Sequence, residues 1–421
     1  VTRWPRLRTR PQAPLDAARS GRGMLADGLA LSASAAISAV AGMVGWILAA
    51  WLLPAADVGH TSAFVSGILL VAGIAELGLG PAVLRWLPRS GALRPVLLKR
   101  TYLLVLAGGL VGAVVFVLVP AGGEVAGHVT GGWWLFLVAA TAWTVFQFQD
   151  AVLTGVGRAR WVPVENGLFA LARLVVLVVL APLVGGLGLV LSWLVPTVLT
   201  VLVVTALVFR RLRPQEEPGV LPDRREVVRL LGPTYPGTVC VVVLYNLVPL
   251  IMLHRFGADA NAVFFVVWTA INALDLAATM FVNPLVVRLS AEPEHARELV
   301  RGTAARLAAV FVPLLLLGGL LAGVALMIFG PEYTSGTGLL RTLLAAQAPR
   351  LVVLVAIAVH LGQGRGSGVA VLHALTAALA VVFALVLPTT AAFGIGLLAG
   401  QCGLAAVVLL DLRRRLREAR A

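Results

Sequence analysis

The amino-acid sequence predicts an all-α polytopic membrane protein with twelve transmembrane helices, and three observations predict it. Charged residues make up 12% of the 421-residue chain, against 60% hydrophobic ones. That is about half the charge a soluble protein carries, too little to clothe the two or three domains such a length implies. Continuous apolar runs of about 18 to 25 residues recur along the chain, each long enough to cross a hydrocarbon core of ~30 Å. They lack the residue-by-residue alternation of a transmembrane β-barrel. Finally, the basic residues fall on alternate loops.

The twelve spans are read near 29–53, 63–84, 101–120, 133–153, 166–184, 189–209, 231–253, 263–287, 307–329, 338–361, 368–388 and 391–411. A basic arm, 1–28, precedes them, and a basic tail, 412–421, follows. A Pro- and Arg-rich linker, 210–230, divides the spans into halves at 29–209 and 231–411. The first apolar run exceeds the 7–15 residues of a signal-peptide core, so it is read as a retained helix.

One set of loops holds Arg3, Arg6, Arg8, Arg10, Arg19 and Arg22, then Arg85, Arg89, Arg94, Lys99 and Arg100, then Arg158 and Arg160. The same set continues with six arginines from Arg210 to Arg229, with Arg288, Arg297, Arg301 and Arg306, and with Arg365 and the tail arginines. The other set carries Asp57, Glu124, Asp259 and Glu332 with one base, Arg255. The positive-inside rule puts both termini in the cytoplasm of a cell-membrane protein. This distribution also explains the net charge of +14 without nucleic acid.

Several chemistries are excluded. No G-x-x-x-x-G-K-[ST] sequence is present, so there is no phosphate loop of an attached ATPase. The run Gly362–Gly368 reads as a tight turn between two spans. Cys240 and Cys402, both inside spans, make neither a disulfide framework nor a zinc site. No cofactor, metal site or catalytic residue is expected. His60, His128, Asp57 and Glu124 lie on short outside loops without evident pairing, which leaves a glycan-ligase reading weak.

An offset of 203 residues aligns Pro81-Ala82-Val83-Leu84-Arg85 with Pro284-Leu285-Val286-Val287-Arg288, each closing the second span of its half. Leu53-Pro54 falls on Phe256-Gly257 in the equivalent outside turn. Two six-helix pseudo-repeats follow, pointing the same way. Pro54 stops a helix and Gly59 suits a tight reversal.

The chain resembles the bacterial polysaccharide-biosynthesis flippases of the MATE-like superfamily. The resemblance rests on Leu52-Leu53-Pro54-Ala55-Ala56-Asp57-Val58-Gly59, on Leu77-Gly78-Leu79-Gly80-Pro81-Ala82-Val83-Leu84-Arg85, and on Arg255-Phe256-Gly257-Ala258. Phe329-Gly330-Pro331-Glu332-Tyr333, with Leu339-Leu340-Arg341 after it, extends it to the turn beyond the ninth span. One departure is the run Asp259 to Phe264, where the family often has Gly-Tyr. The resemblance implies a MATE-like fold and the translocation of a polyprenyl-diphosphate-linked oligosaccharide between leaflets by a monomer. Its partners would be that lipid-linked glycan, membrane lipids and a coupling proton or sodium ion.

An ionised side chain at mid-bilayer costs about 2.5–3.5 kcal/mol on insertion scales, so each intramembrane charge is a site candidate. Arg350 is read near the midplane, beside Pro349 and on one face with Gln347. Arg341, nearer the outer surface, is in reach of snorkelling. A guanidinium matches phosphate oxygens bidentately. Arg350, Arg173, Gln347 and Arg341 are therefore the candidate diphosphate-binding residues, with an ion pair from Arg350 to Asp275 or Glu76 as the structural alternative. Glu76 and Asp275, in equivalent spans, are candidate ion-coupling residues, and Asn272 shares a helix face with Asp275. Asp150 is read as a solvated span end, His360 and His373 as helix–helix hydrogen-bond partners. Trp51, Trp86, Trp133, Trp134 and Trp161 are read as interfacial anchors.

A flippase of lipid-linked oligosaccharides leads these readings. A MATE-like antiporter of small amphiphiles or drugs comes second, because buried arginine repels cationic cargo. A major-facilitator transporter comes third, since Arg85–Gly91 lacks that family's loop sequence.

Overall fold

The computed structural model describes residues 37–129, 131–211, 218–232 and 235–418. The arm 1–28 and the first part of span 29–53 lie outside the described residues, as do 212–217 of the linker and the last residues of the tail. Sixteen α-helices are described. In the N-terminal half they are α1 (Ile37–Leu52), α2 (Ala55–Ala75), α3 (Leu79–Trp86), α4 (Arg94–Leu118), α5 (Pro120–Gly127), α6 (Gly132–Gly155), α7 (Val162–Val184) and α8 (Gly186–Arg211). Then follow α9 (Arg224–Leu231), α10 (Tyr235–Phe256), α11 (Ala258–Ala291), α12 (Ala296–Leu320) and α13 (Ala322–Met327). The last three are α14 (Thr337–Gly362), α15 (Gly366–Val386) and α16 (Thr390–Glu418). Eleven helical segments among the described residues are long and apolar enough to cross a membrane, and α1 is a shorter apolar helix.

The helix starts recur at a spacing of about 203 residues. Ala55 of α2 corresponds to Ala258 of α11, Arg94 to Ala296, Gly132 to Thr337, Val162 to Gly366, and Gly186 to Thr390. The short helices α5 and α13 follow the same rhythm.

Several expected boundaries move. The second span is not 63–84: α2 begins at Ala55, directly after Pro54, whose φ of −56° and ψ of 148° start the helix. The turn is therefore Leu53-Pro54 alone, and Gly59 lies inside α2. Its lack of a side chain serves packing, because a Cβ there would sit 1.9 Å from the Ala258 carbonyl oxygen. That span is also broken. Leu77 and Gly78 adopt left-handed backbone, at φ 55° and 68°, before α3 resumes, whereas α11 runs through the equivalent region for 34 residues. The ninth span, read as 307–329, ends as α12 at Leu320, and Leu321 breaks it from α13.

Trp86 is an exception to the interfacial pattern. It is buried against α4 and α6, while Trp51, Trp133, Trp134 and Trp161 are exposed. Cys240 and Cys402 are free thiols.

The halves meet along α2, which packs on both α10 and α11. On the acidic face, Asn261 Nδ2 donates to Gly59 O at 2.9 Å and to Ser62 Oγ at 3.2 Å. Trp51 Nε1 donates to Ile328 O at 2.7 Å, tying α1 to the end of α13. Toward the basic face, Tyr235 OH donates to Ile74 O at 2.8 Å. Residues 37–40 of α1 and Leu276, Met280, Phe281 and Val287 of α11 are exposed there. The seam is thus closed on the acidic face, while on the basic face the described contacts join α2 to α10 and α3 to α9.

Candidate functional site

The C-terminal half holds a polar cluster inside five helices. α14 carries Arg350 into it, next to Pro349, which withholds one backbone donor in mid-helix. The i, i+3 spacing places Gln347 on the same face. Arg350 Nε is 3.0 Å from Asp275 Oδ1 and Nη2 is 3.2 Å from Oδ2, a bidentate pair. Nη1 donates to Thr376 Oγ1 of α15 at 3.0 Å. Tyr245 of α10 donates its hydroxyl to Asp275 Oδ2, and Trp268 Nε1 fixes Tyr245 through its carbonyl at 3.0 Å. Arg350 and Asp275 are each 4% exposed. Gln347 and Gln401 line the same cavity of about 30 Å³, room for a water molecule and far too small for a sugar diphosphate.

The N-terminal half buries an arginine differently. Arg173 of α7 is 5% exposed, and its Nε and Nη2 have no hydrogen-bond partner. Its guanidinium lies 4.0 Å over the Trp193 ring of α8 and 5.9 Å from the Trp46 ring of α1. Trp46 in turn meets Phe265 of α11, with ring centroids 4.6 Å apart, so Arg173 stands one residue behind the seam between the halves. Among the described residues it has no ion pair. Aromatic faces attract a cation, but they do not cancel its charge.

The remaining candidates scatter. Arg341 is exposed on α14 and donates Nε to Gly319 O of α12 at 3.0 Å, a helix–helix staple away from both clusters. Glu76 caps α2 and accepts from the Gly80 N–H across the break. Asn272 shares the Asp275 face, and its Oδ1 is buried without a partner. Asp150 is not a solvated end: it is half-buried and accepts from Asn166 Nδ2 at 3.2 Å. Beside Asn166, Glu165 is 6% exposed with both carboxylate oxygens unpartnered. The His60 and His128 rings, expected to be unpaired, stack at 4.1 Å, and Glu124 reaches His254 at 3.5 Å. His360 bonds its own helix at Ala356 O.

Sequence reasoning missed Tyr245, Thr376, Gln401, Trp193 and Glu165. Tyr245 gave a usable signal, since the chain has only four tyrosines and this one sits mid-span. Thr376 gave none, because threonine is ordinary in membrane helices.

A bundle of apolar helices in two like halves, each with a buried arginine, defines a polytopic helical membrane protein. The solved structures it is similar to agree. An inward-facing multidrug resistance MATE transporter of the MOP superfamily is 16% identical, with TM-score 0.67 over 94% of this chain and 99% of that one. A MATE transporter in complex with MaL6 is 16% identical, with TM-score 0.64 over 94% and 96% of the two chains. A MOP superfamily transporter from Pyrococcus furiosus, described as having a binding pocket of reversed polarity, is 17% identical, with TM-score 0.62 over 95% and 96%. The fold is therefore MATE-like. No curated protein matches by sequence. Residues 24–289 match the family described as "Polysaccharide biosynthesis protein", and the chain belongs to that family.

Proposed function

We propose that this protein translocates a polyprenyl-diphosphate-linked oligosaccharide from the cytoplasmic to the outer leaflet of the cell membrane, by alternating access and without covalent chemistry. The halves 29–209 and 231–411 rock about the linker, with both termini cytoplasmic. The observation that carries this reading is Arg173, a buried guanidinium without a carboxylate partner among the described residues, one aromatic ring from the seam. A fixed uncompensated cation suits a diphosphate and repels the cationic amphiphiles of a drug antiporter.

Arg350 enters through exchange. Its fork is engaged by Asp275, so it binds phosphate only when Asp275 gives it up. Uptake of a coupling proton or sodium ion at Asp275, aided by Asn272, neutralises that carboxylate and frees Arg350, which links ion to substrate. Gln347 then reaches the same headgroup, while Arg341 acts at the rim and Glu76 serves as a second coupling acid. One charge crossing 100 mV supplies about 2.3 kcal/mol to such a cycle.

The experiment is competition binding to the purified protein, with a fluorescent polyprenyl diphosphate sugar as probe. Displacement by unlabelled lipid diphosphate but not by lipophilic cations, and loss of binding in Arg173→Met, are expected. Displacement by lipophilic cations alone overturns the reading in favour of the antiporter.

A further inference from the structure

Outside the seam, a groove of about 910 Å³ lies along α7 and α8 of the N-terminal half. Val164, Leu168 and Ala172 of α7, and Leu199, Val203 and Leu207 of α8, line it. Each set is spaced by four residues, so each forms one straight ridge on its helix. The two ridges flank a trough with apolar walls. Val164 and Leu168 are 57% and 64% exposed, Leu199 and Val203 58% and 57%, values that at membrane depth mean contact with hydrocarbon.

The basic-face end of the same groove is cationic. Arg94 arrives from the start of α4, Arg158 from the turn before α7, and Arg210 from the last turns of α8. Arg94 lines the groove and uses its Nε on Leu87 O at 3.2 Å, a bond that does not occupy its two Nη groups. Arg158 lies over the Trp161 ring at 5.4 Å. None of the three is in an ion pair among the described residues. Among the described lining residues Glu165 is the one acid, against three arginines.

We propose that this groove seats one anionic phospholipid of the leaflet on the basic face. Arg94, Arg158 and Arg210 grip its phosphate, and one acyl chain lies between the ridges. Guanidinium forks match phosphate oxygens. A zwitterionic lipid offers the same phosphate but brings its own ammonium, which the three arginines repel. A net-negative headgroup is therefore selected. The seat is separate from the inter-half seam and stands whether or not the protein flips glycans.

Native mass spectrometry of the full-length protein, equilibrated with phosphatidylglycerol or phosphatidylcholine, tests this. The wild type should retain one phosphatidylglycerol with about a tenfold preference. Arg94→Gln/Arg158→Gln/Arg210→Gln should lose the preference, and Arg297→Gln/Arg301→Gln/Arg306→Gln, equally basic but on α12, should keep it. Leu168→Trp, which fills the trough and leaves the arginines, should also lose the bound lipid. It covers the case in which the triple groove variant fails to fold. Millimolar inorganic phosphate should not displace the lipid, because the chain contact is then missing. Equal loss in the α12 variant, retention in Leu168→Trp, or binding of a polyprenyl diphosphate in place of phosphatidylglycerol would each overturn the proposal.

Discussion

Arg350 and Asp275 form a bidentate ion pair at 3.0 and 3.2 Å in the interior of the C-terminal half. Breaking a buried pair by removing one partner costs about 3–5 kcal/mol, whereas replacing both by apolar groups is often neutral. Asp275→Leu and Arg350→Leu should each lower the unfolding midpoint sharply in detergent, and the double variant should recover most of the loss. A double variant no more stable than the singles would show that the pair is not coupled.

The same pair separates structure from coupling. Asp275→Asn keeps the shape and mimics the neutral acid. If ion uptake at Asp275 releases Arg350, this variant transports independently of a proton or sodium gradient. Vesicle assays with and without each gradient decide it, and an unchanged gradient dependence would sink the idea.

Arg173 behaves in the opposite sense. Its charge is buried without a counter-ion among the described residues, so Arg173→Met removes a desolvation cost of several kcal/mol and leaves a side chain that fits among aromatic rings. Thermal stability should rise or hold while transport falls at least about tenfold, roughly 1.4 kcal/mol of lost binding. A variant that loses both would make Arg173 a packing residue.

Gly59 is a test of the seam. A Cβ at 1.9 Å from the Ala258 carbonyl forces α2 and α11 apart, so Gly59→Val should favour the state that is open on the acidic face. Cysteines placed at Ser62 and Asn261, now joined at 3.2 Å, should cross-link readily in the wild-type background. They should cross-link poorly with Gly59→Val, and the cross-link should arrest transport.

Much of this fold was legible in the sequence, because membrane spans announce themselves by length and apolarity alone. The helix break at Leu77-Gly78 was not, although Glu76, Gly78, Gly80 and Pro81 surround it, because membrane helices tolerate Gly and Pro without breaking. Gly59 was misplaced for a related reason: glycine marks a turn or a close helix contact equally well, and the neighbour that decides is 199 residues away at Ala258. Of the site, the buried arginines were visible as charges where charge is costly. The sequence offers Asp275 as one of two possible partners of Arg350. The choice between it and Glu76 was not legible, nor was Thr376, because these residues come from separate helices and sequence spacing carries no such register. Glu165 was overlooked because it follows Trp161 and Pro163 near a span end, where a carboxylate ordinarily meets water. Here the fold of α6 against α7 covers it.

The most direct test is leaflet transfer in sealed proteoliposomes carrying a polyprenyl-diphosphate oligosaccharide, read by a glycan-modifying reagent confined to the outside. Protein-dependent transfer is expected, lost in folded Arg173→Met and arrested by the Ser62→Cys/Asn261→Cys cross-link. Transfer no faster than in protein-free vesicles, under either ion gradient, would contradict it.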